Sequence, residues 1–291
     1  MKLSLLLFAV LGIFIYPGCD SDAQTLTTNS NQPASPQGAI AQAKVPVTVI
    51  PSLAHNEDYN QIILDIILHM PPGGGYSVKK IALDNLRASV TFKLISSTPK
   101  LDIVPVNAEP SFCSGATYLV FLELVQHLLD EKKLLLSAND VQSLLIKGQS
   151  DGEGVWGRWN ANGPGTARLF YELGMGKSFQ SLTSAKPGDF VKLFWTDQIG
   201  AKEFGHSVIF LGTRATPQGG VIRIWSSNLN VGYSEKEVPL GKIKRMLFSR
   251  VLNPSALQFV SRLPKRDAYL ASMLSNASTQ EEMSDMVGDK H

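Results

Sequence analysis

Pro187-Gly188-Asp189-Phe190-Val191-Lys192-Leu193-Phe194-Trp195, followed by Gly205-His206-Ser207-Val208-Ile209-Phe210-Leu211-Gly212, marks the point where the chain changes character. Both stretches are short apolar runs bounded by glycine, the pattern of buried strands. A third run spans 221–225, and 237–240 and 246–252 are expected to complete a sheet. Upstream of Pro187 the apolar residues recur at helical spacing instead. Ile62, Ile63, Ile66, Ile67 and Met70 make a one-sided stripe that stops at Pro71-Pro72-Gly73-Gly74-Gly75, which no helix survives. Residues 78–88 predict a second helix, and Val90, Phe92 and Leu94 a short strand. The strongest helix is expected over 111–129, with Ser111 as its N-cap behind Pro110 and a wide apolar face from Thr117 to Leu128. A short helix over 138–147, a long Gly/Asn/Trp loop over 148–165 and a helix over 166–173 follow. Helices first and an antiparallel sheet afterwards predict the α+β class.

The chain of 291 residues is 44% hydrophobic and 18% charged, ordinary for a globular protein. A net charge of +2 with scattered Lys and Arg gives no reason to expect a nucleic-acid partner. Lys2 followed by the apolar run from Leu3 to Tyr16 has the form of a signal peptide. Two processing sites compete after it. Cys19 behind Gly18 resembles a lipidation site, although Tyr16 and Pro17 depart from the usual residues, and Ser21-Asp22-Ala23 offers cleavage after Ala23. The first gives a signal peptide over 1–18 and a cell-envelope lipoprotein, periplasmic or surface-held; the second gives 1–23 and a secreted soluble protein. Under either, the protein is expected outside the cytoplasm, touching a membrane only through such an anchor. Residues 19–45, poor in large apolar side chains, read as a flexible tether. A globular domain is expected over 46–264, then a C-terminal helix and polar tail over 265–291, disordered from Asn276.

Of the two cysteines, Cys19 is lipidated or removed, so Cys113 has no partner in the mature chain. That is compatible with a buried core thiol. It is also compatible with a nucleophile, because Cys113 falls in the first turn of its helix, where free N–H groups and the helix dipole favour a thiolate. The small neighbours Ser114, Gly115 and Ala116 would leave the sulfur open, and the same N–H groups could hold an oxyanion. A base is then needed. His127 sits fourteen helical residues on, about 20 Å away. His55 lies near the tether, His291 in the tail, and His69 ends a helix. His206 opens an apolar strand beside Gly205, a position from which it could reach a helix end.

Phe112-Cys113-Ser114-Gly115-Ala116 opening a helix, then Pro187-Gly188-Asp189-Phe190-Val191, then His206 at the head of its strand, resembles the NlpC-type branch of the papain-like cysteine peptidases and amidases. The resemblance covers roughly 111–228. It implies a papain-like core in which N-terminal helices pack on an antiparallel sheet, with Cys113 as nucleophile, His206 as base and a polar residue of the next strand orienting the imidazole. Asn228 is the choice for that third residue, with Ser226 as the alternative on the same strand face. Phe112 stands where the family often has Asp, and Cys113 and His206 are 93 residues apart, longer than in compact members. The excess includes the loop carrying Trp156, Arg158, Trp159, Asn160 and Asn162, which could line a groove for a polar peptide or glycan, Arg158 taking a carboxylate. An equally simple reading has the two tryptophans pin that loop to the body.

The expected function is hydrolysis of an amide bond, by resemblance in the peptide stems of bacterial cell wall. No cofactor or metal is required, since no Cys/His set has zinc spacing, Asp151 and Glu153 alone make no calcium site, and no phosphate-binding glycine turn is present. Two rivals come from other classes: a non-catalytic envelope-binding protein on the same fold, and a cysteine acyltransferase.

Overall fold

The computed structural model describes residues 58–289. The signal segment, Cys19, the alternative site at Ala23, the tether, His55 and His291 lie outside the described residues. The chain opens with α1 (Tyr59–His69), a two-residue strand β1 (Gly73–Gly74) and α2 (Lys80–Ala88), then the hairpin β2 (Val90–Ile95) and β3 (Thr98–Ile103). Next come α3 (Cys113–Asp130), α4 (Ala138–Ser143), α5 (Gly154–Trp159) and α6 (Gly165–Leu173). The strand-rich half holds β4 (Gly176–Phe179), β5 (Phe190–Phe194), β6 (Ile199–Gly200), β7 (His206–Thr216), β8 (Gly219–Asn228), β9 (Gly232–Pro239) and β10 (Arg245–Val251). It ends with α7 (Ala268–Ser272), β11 (Ala277–Ser278) and α8 (Gln280–Val287).

One seven-stranded sheet runs in the order β1-β9-β8-β7-β5-β10-β4, every neighbour antiparallel. Several helices around an antiparallel sheet make a mixed α+β fold. Both faces of the sheet are covered, so strand alternation sorts residues into two cores rather than into core and solvent. On one face Phe190, Ile209, Trp225 and Val251 pack with Leu119, Phe121, Leu124 and Leu128 of α3. On the other, Val191, Leu193, Val208, Phe210, Ile222, Ile224 and Phe248 form a second cluster. The isoleucines of β8 therefore face away from α3.

The Pro-Gly-Asp stretch acts as an anchor. Asp189 is fully buried and accepts from Arg250 Nε at 2.7 Å and Arg250 Nη2 at 2.6 Å. It also accepts from Asn60 Nδ2 at 2.9 Å and the Lys186 N–H at 2.8 Å. One carboxylate thus joins the start of β5 to β10 and α1. A charge so buried is tolerable because both oxygens are paired and hydrogen-bonded.

Several expectations need correction. Helix α3 begins at Cys113, with Phe112 in the N-cap place, and Ser111 instead donates its hydroxyl to Ser227 Oγ at 2.7 Å, fastening the helix start to β8. The stretch 148–165 is not all loop, since α5 lies within it. The C-terminal segment is ordered beyond Asn276. Thr279 caps α8 by accepting from the Glu282 N–H, and Met283 and Val287 are buried with Phe194, Ala167, Ile199 and Leu247. Two apolar side chains four residues apart in a polar stretch suffice once a body is there to receive them. Among the described residues no helix is long and apolar enough to cross a membrane.

Candidate active site

Strands β7 and β8 stay paired from Thr216↔Gly219 as far as Ile209↔Trp225 and then part. Beyond that point Ser226 donates its hydroxyl to the Ser207 carbonyl at 2.7 Å, a side chain standing in for the ladder. The Ser207 N–H lies near enough to the Cys113 sulfur to favour its thiolate. The first residue of α3 thus reaches the opened ends of the two strands. His206, the first residue of β7, stands beside the thiol there and favours its ionised form as a hydrogen-bond partner and by charge. His206 Nε2 lies 3.4 Å from Asn228 Oδ1. With that nitrogen turned to Asn228, Nδ1 is the one left for sulfur. The Asn228 amide is itself fixed, donating to the Ser234 carbonyl at 2.9 Å and to Ser234 Oγ at 3.1 Å. Of the two alternatives for the third position, Asn228 touches the ring and Ser226 bridges the strands.

Cys113 is half-buried and unpaired. Burial would push its thiol up, but the hydrogen bond and charge of His206, then the Lys192 ammonium and the Ser207 N–H, outweigh it and bring the thiol down to about 7. Near neutral pH a large fraction is therefore thiolate.

Lys192 is a participant that sequence reasoning passed over. It is nearly buried, pairs across the ladder with Ser207, and shares that face with Phe190. Its Nζ stands 3.5 Å from the Ala161 carbonyl. The available signal was a lysine in the middle of an otherwise apolar strand, a position where burial demands a reason.

No family model, curated protein or solved structure matches this chain.

The proposed groove loop divides. Trp156 and Trp159 are core residues, Trp159 stacking on Phe121 with centroids 4.9 Å apart and Trp156 lying 5.1 Å from Tyr118. Neither indole presents a face to a ligand, so the pinning role holds for both. Arg158 is fully buried, paired with Glu172 at 2.7 Å and donating to the carbonyls of Gly152, Gly154 and Pro264. Its guanidinium is consumed internally and cannot serve a substrate carboxylate. Asn160 does reach the site's edge, accepting from Ser114 Oγ at 2.5 Å. Asn162 is buried, and its Nδ2, like Ser207 Oγ, has no hydrogen-bond partner among the described residues.

Ser114, Gly115 and Ala116 are buried rather than open. A Cβ on Gly115 would stand 3.1 Å from Leu86 Cδ2 and 3.3 Å from the Phe112 ring, so the small residue admits α2 to the helix start. Phe112 packs edge-on against Trp156 at 6.2 Å, which accounts for an aromatic residue before the cysteine. His69 bonds back to the Asp65 carbonyl of its own helix, and His127 lies beside Glu131 at the far end of α3. Among the described residues no group of three or more His, Cys, Asp or Glu is placed to hold a metal.

Proposed function

We propose that this chain is an exported cysteine amidase or peptidase with a papain-like, NlpC-type core, acting on peptide stems of bacterial cell wall. The observation that carries the reading is the convergence of Cys113, His206 and Asn228 at the parted ends of β7 and β8, with the thiol held near neutrality. Three residues spread over 115 positions of sequence, each of the type and order that nucleophilic catalysis needs, support it more than any one alone.

In this reading the Cys113 thiolate attacks the amide carbonyl and forms a carbon–sulfur bond. The protonated His206 delivers its proton to the leaving nitrogen as the carbon–nitrogen bond breaks. Water, deprotonated by His206, then releases the acid and restores the thiol. Backbone N–H groups of the first turn of α3, which have no intrahelical acceptor, would take the oxyanion in this reading. Asn228 holds the ring through the proton transfers.

The test is Cys113→Ala assayed with wall-peptide fragments and purified protein. Release by wild type and none above background by the variant is expected; equal release by both would sink the mechanism.

A further inference from the structure

Eleven residues join β5 to the first residue of β7, and a single carboxylate organises them. Glu203 is buried at 6% exposure. Its Oε2 accepts from the Trp195 N–H at 3.1 Å, the Thr196 N–H at 2.8 Å and Thr196 Oγ1 at 2.8 Å. Its Oε1 accepts from the Gly205 N–H at 3.0 Å. The two oxygens therefore grip both ends of the connection, immediately after β5 and immediately before His206.

Those ends frame the imidazole. The Trp195 ring stacks on His206 with centroids 6.3 Å apart and planes 28° from parallel, while remaining 39% exposed. Gly205 sits at φ +67, and a Cβ there would lie 2.8 Å from Lys192 Cε and 2.9 Å from the Leu193 carbonyl. The backbone before His206 thus has one narrow path, and Glu203 holds it there. Four charge-assisted hydrogen bonds to one buried carboxylate far exceed what a surface loop needs to stay closed.

We propose that Glu203 is a positioning residue for the Cys113–His206 pair, clamping Gly205 and Trp195 so that the imidazole is held between the indole and Asn228 at the distance the thiol requires. The inference rests on the proposed nucleophile–base pair, but not on the identity of the substrate. It assigns the clamp to the base and not to the fold alone.

The experiment reads the thiol itself. Wild type and Glu203→Gln are alkylated with iodoacetamide across pH, alongside thermal unfolding and hydrolysis of wall-peptide fragments. An amide at 203 cannot accept at both ends, so one end of the connection is released. The charged groups facing the sulfur are His206 and Lys192. Deleting a carboxylate as mere charge would favour the thiolate and move the midpoint down, whereas a loosened His206 moves it up. An upward shift of one pH unit, with an about five-fold slower reaction at pH 7, is expected.

An unchanged or lowered midpoint in a folded variant would overturn the clamp, as would a drop in unfolding temperature with no change in titration. Should Glu203→Gln not fold, Trp195→Leu removes the stacked ring and leaves the carboxylate with its backbone donors. It is expected to shift the midpoint in the same direction, and no shift there would equally refute the proposal. An upward shift in a protein that cleaves no fragment would uphold the clamp and retire the amidase reading.

Discussion

Burial and charge act on Cys113 in opposite directions, and the balance sets how far the thiol ionises near neutral pH. Desolvation disfavours the thiolate, so without compensation the group would titrate above an ordinary cysteine. The His206 hydrogen bond and charge supply the larger part of the reversal to about 7, with Lys192 and the Ser207 N–H adding to it. Alkylation of wild type should therefore rise with pH through a midpoint near 7, the thiol being protonated and slow below it. His206→Ala removes the two strongest compensating effects and leaves burial opposed by Lys192 and one N–H. Its midpoint is expected to move well above neutrality, and thiolate absorbance in a pH titration measures the shift directly. A midpoint still at neutrality would mean that Lys192, not His206, sets the thiol. On substrate, the same variant should lose about 10²- to 10⁴-fold in rate, the usual contribution of a positioned acid–base group. Of these residues the sequence exposes Cys113 by its lack of a partner and His206 by its place at a strand head. Lys192 and Glu203 stay hidden, because their significance is that they are buried, and burial depends on partners distant in sequence.

At the scale of elements, the strands are readable because their apolar runs are dense, α1 because its stripe is one-sided and α3 because its apolar face is wide. The termini are less so. Ser111 looks like a cap and is instead a rivet between α3 and β8. Alternation along β8 sorts its residues onto two faces, but it does not say which face meets α3 in a sheet covered on both sides. Asn228 reaches the site because β7 and β8 separate near their ends, a feature of pairing that a single strand's sequence does not carry. The loop of tryptophans shows the same limit: Trp and Arg suit a binding surface or a core, and packing against Tyr118, Phe121 and Glu172 decides for the core. Asp189 belongs to this scale as well. Its carboxylate ties β5, β10 and α1 through four hydrogen bonds, two from Arg250 and one each from Asn60 and the Lys186 N–H. Asp189→Ala leaves Arg250 buried and uncompensated, and should cost about 3–5 kcal/mol in urea unfolding. A loss under about 1 kcal/mol would show that the anchor is dispensable and that Asp189 has another task.

Across the whole molecule, the last elements reach back to the site through the connection that Glu203 organises. β11 pairs with β6, Ala277 opposite Gly200 and Ser278 opposite Ile199, and β6 lies within the stretch leading to His206. The Ala201 N–H donates to the Met273 carbonyl at 2.7 Å, a second tie from the same region. Beyond it, α8 buries Met283 and Val287, and Arg168 of α6 donates to the Met286 carbonyl at 2.8 Å. The C-terminal segment therefore braces one side of the connection while β5 and β7 hold the other. Removal of residues 277–291 would expose the apolar surface under α8, at about 1.5–3 kcal/mol for each of the two buried side chains. It would also free β6. The expected outcome is a folded but less stable protein in which the Cys113 midpoint rises, because the path into His206 is no longer braced. Met283→Ala separates the two effects: it should cost about 2–5 kcal/mol while leaving β11 paired with β6, so stability falls and the titration stays near 7. If both proteins titrate like wild type, the C-terminal segment serves stability alone. If the truncated chain shifts and Met283→Ala does not, the brace acts through β6 on the base.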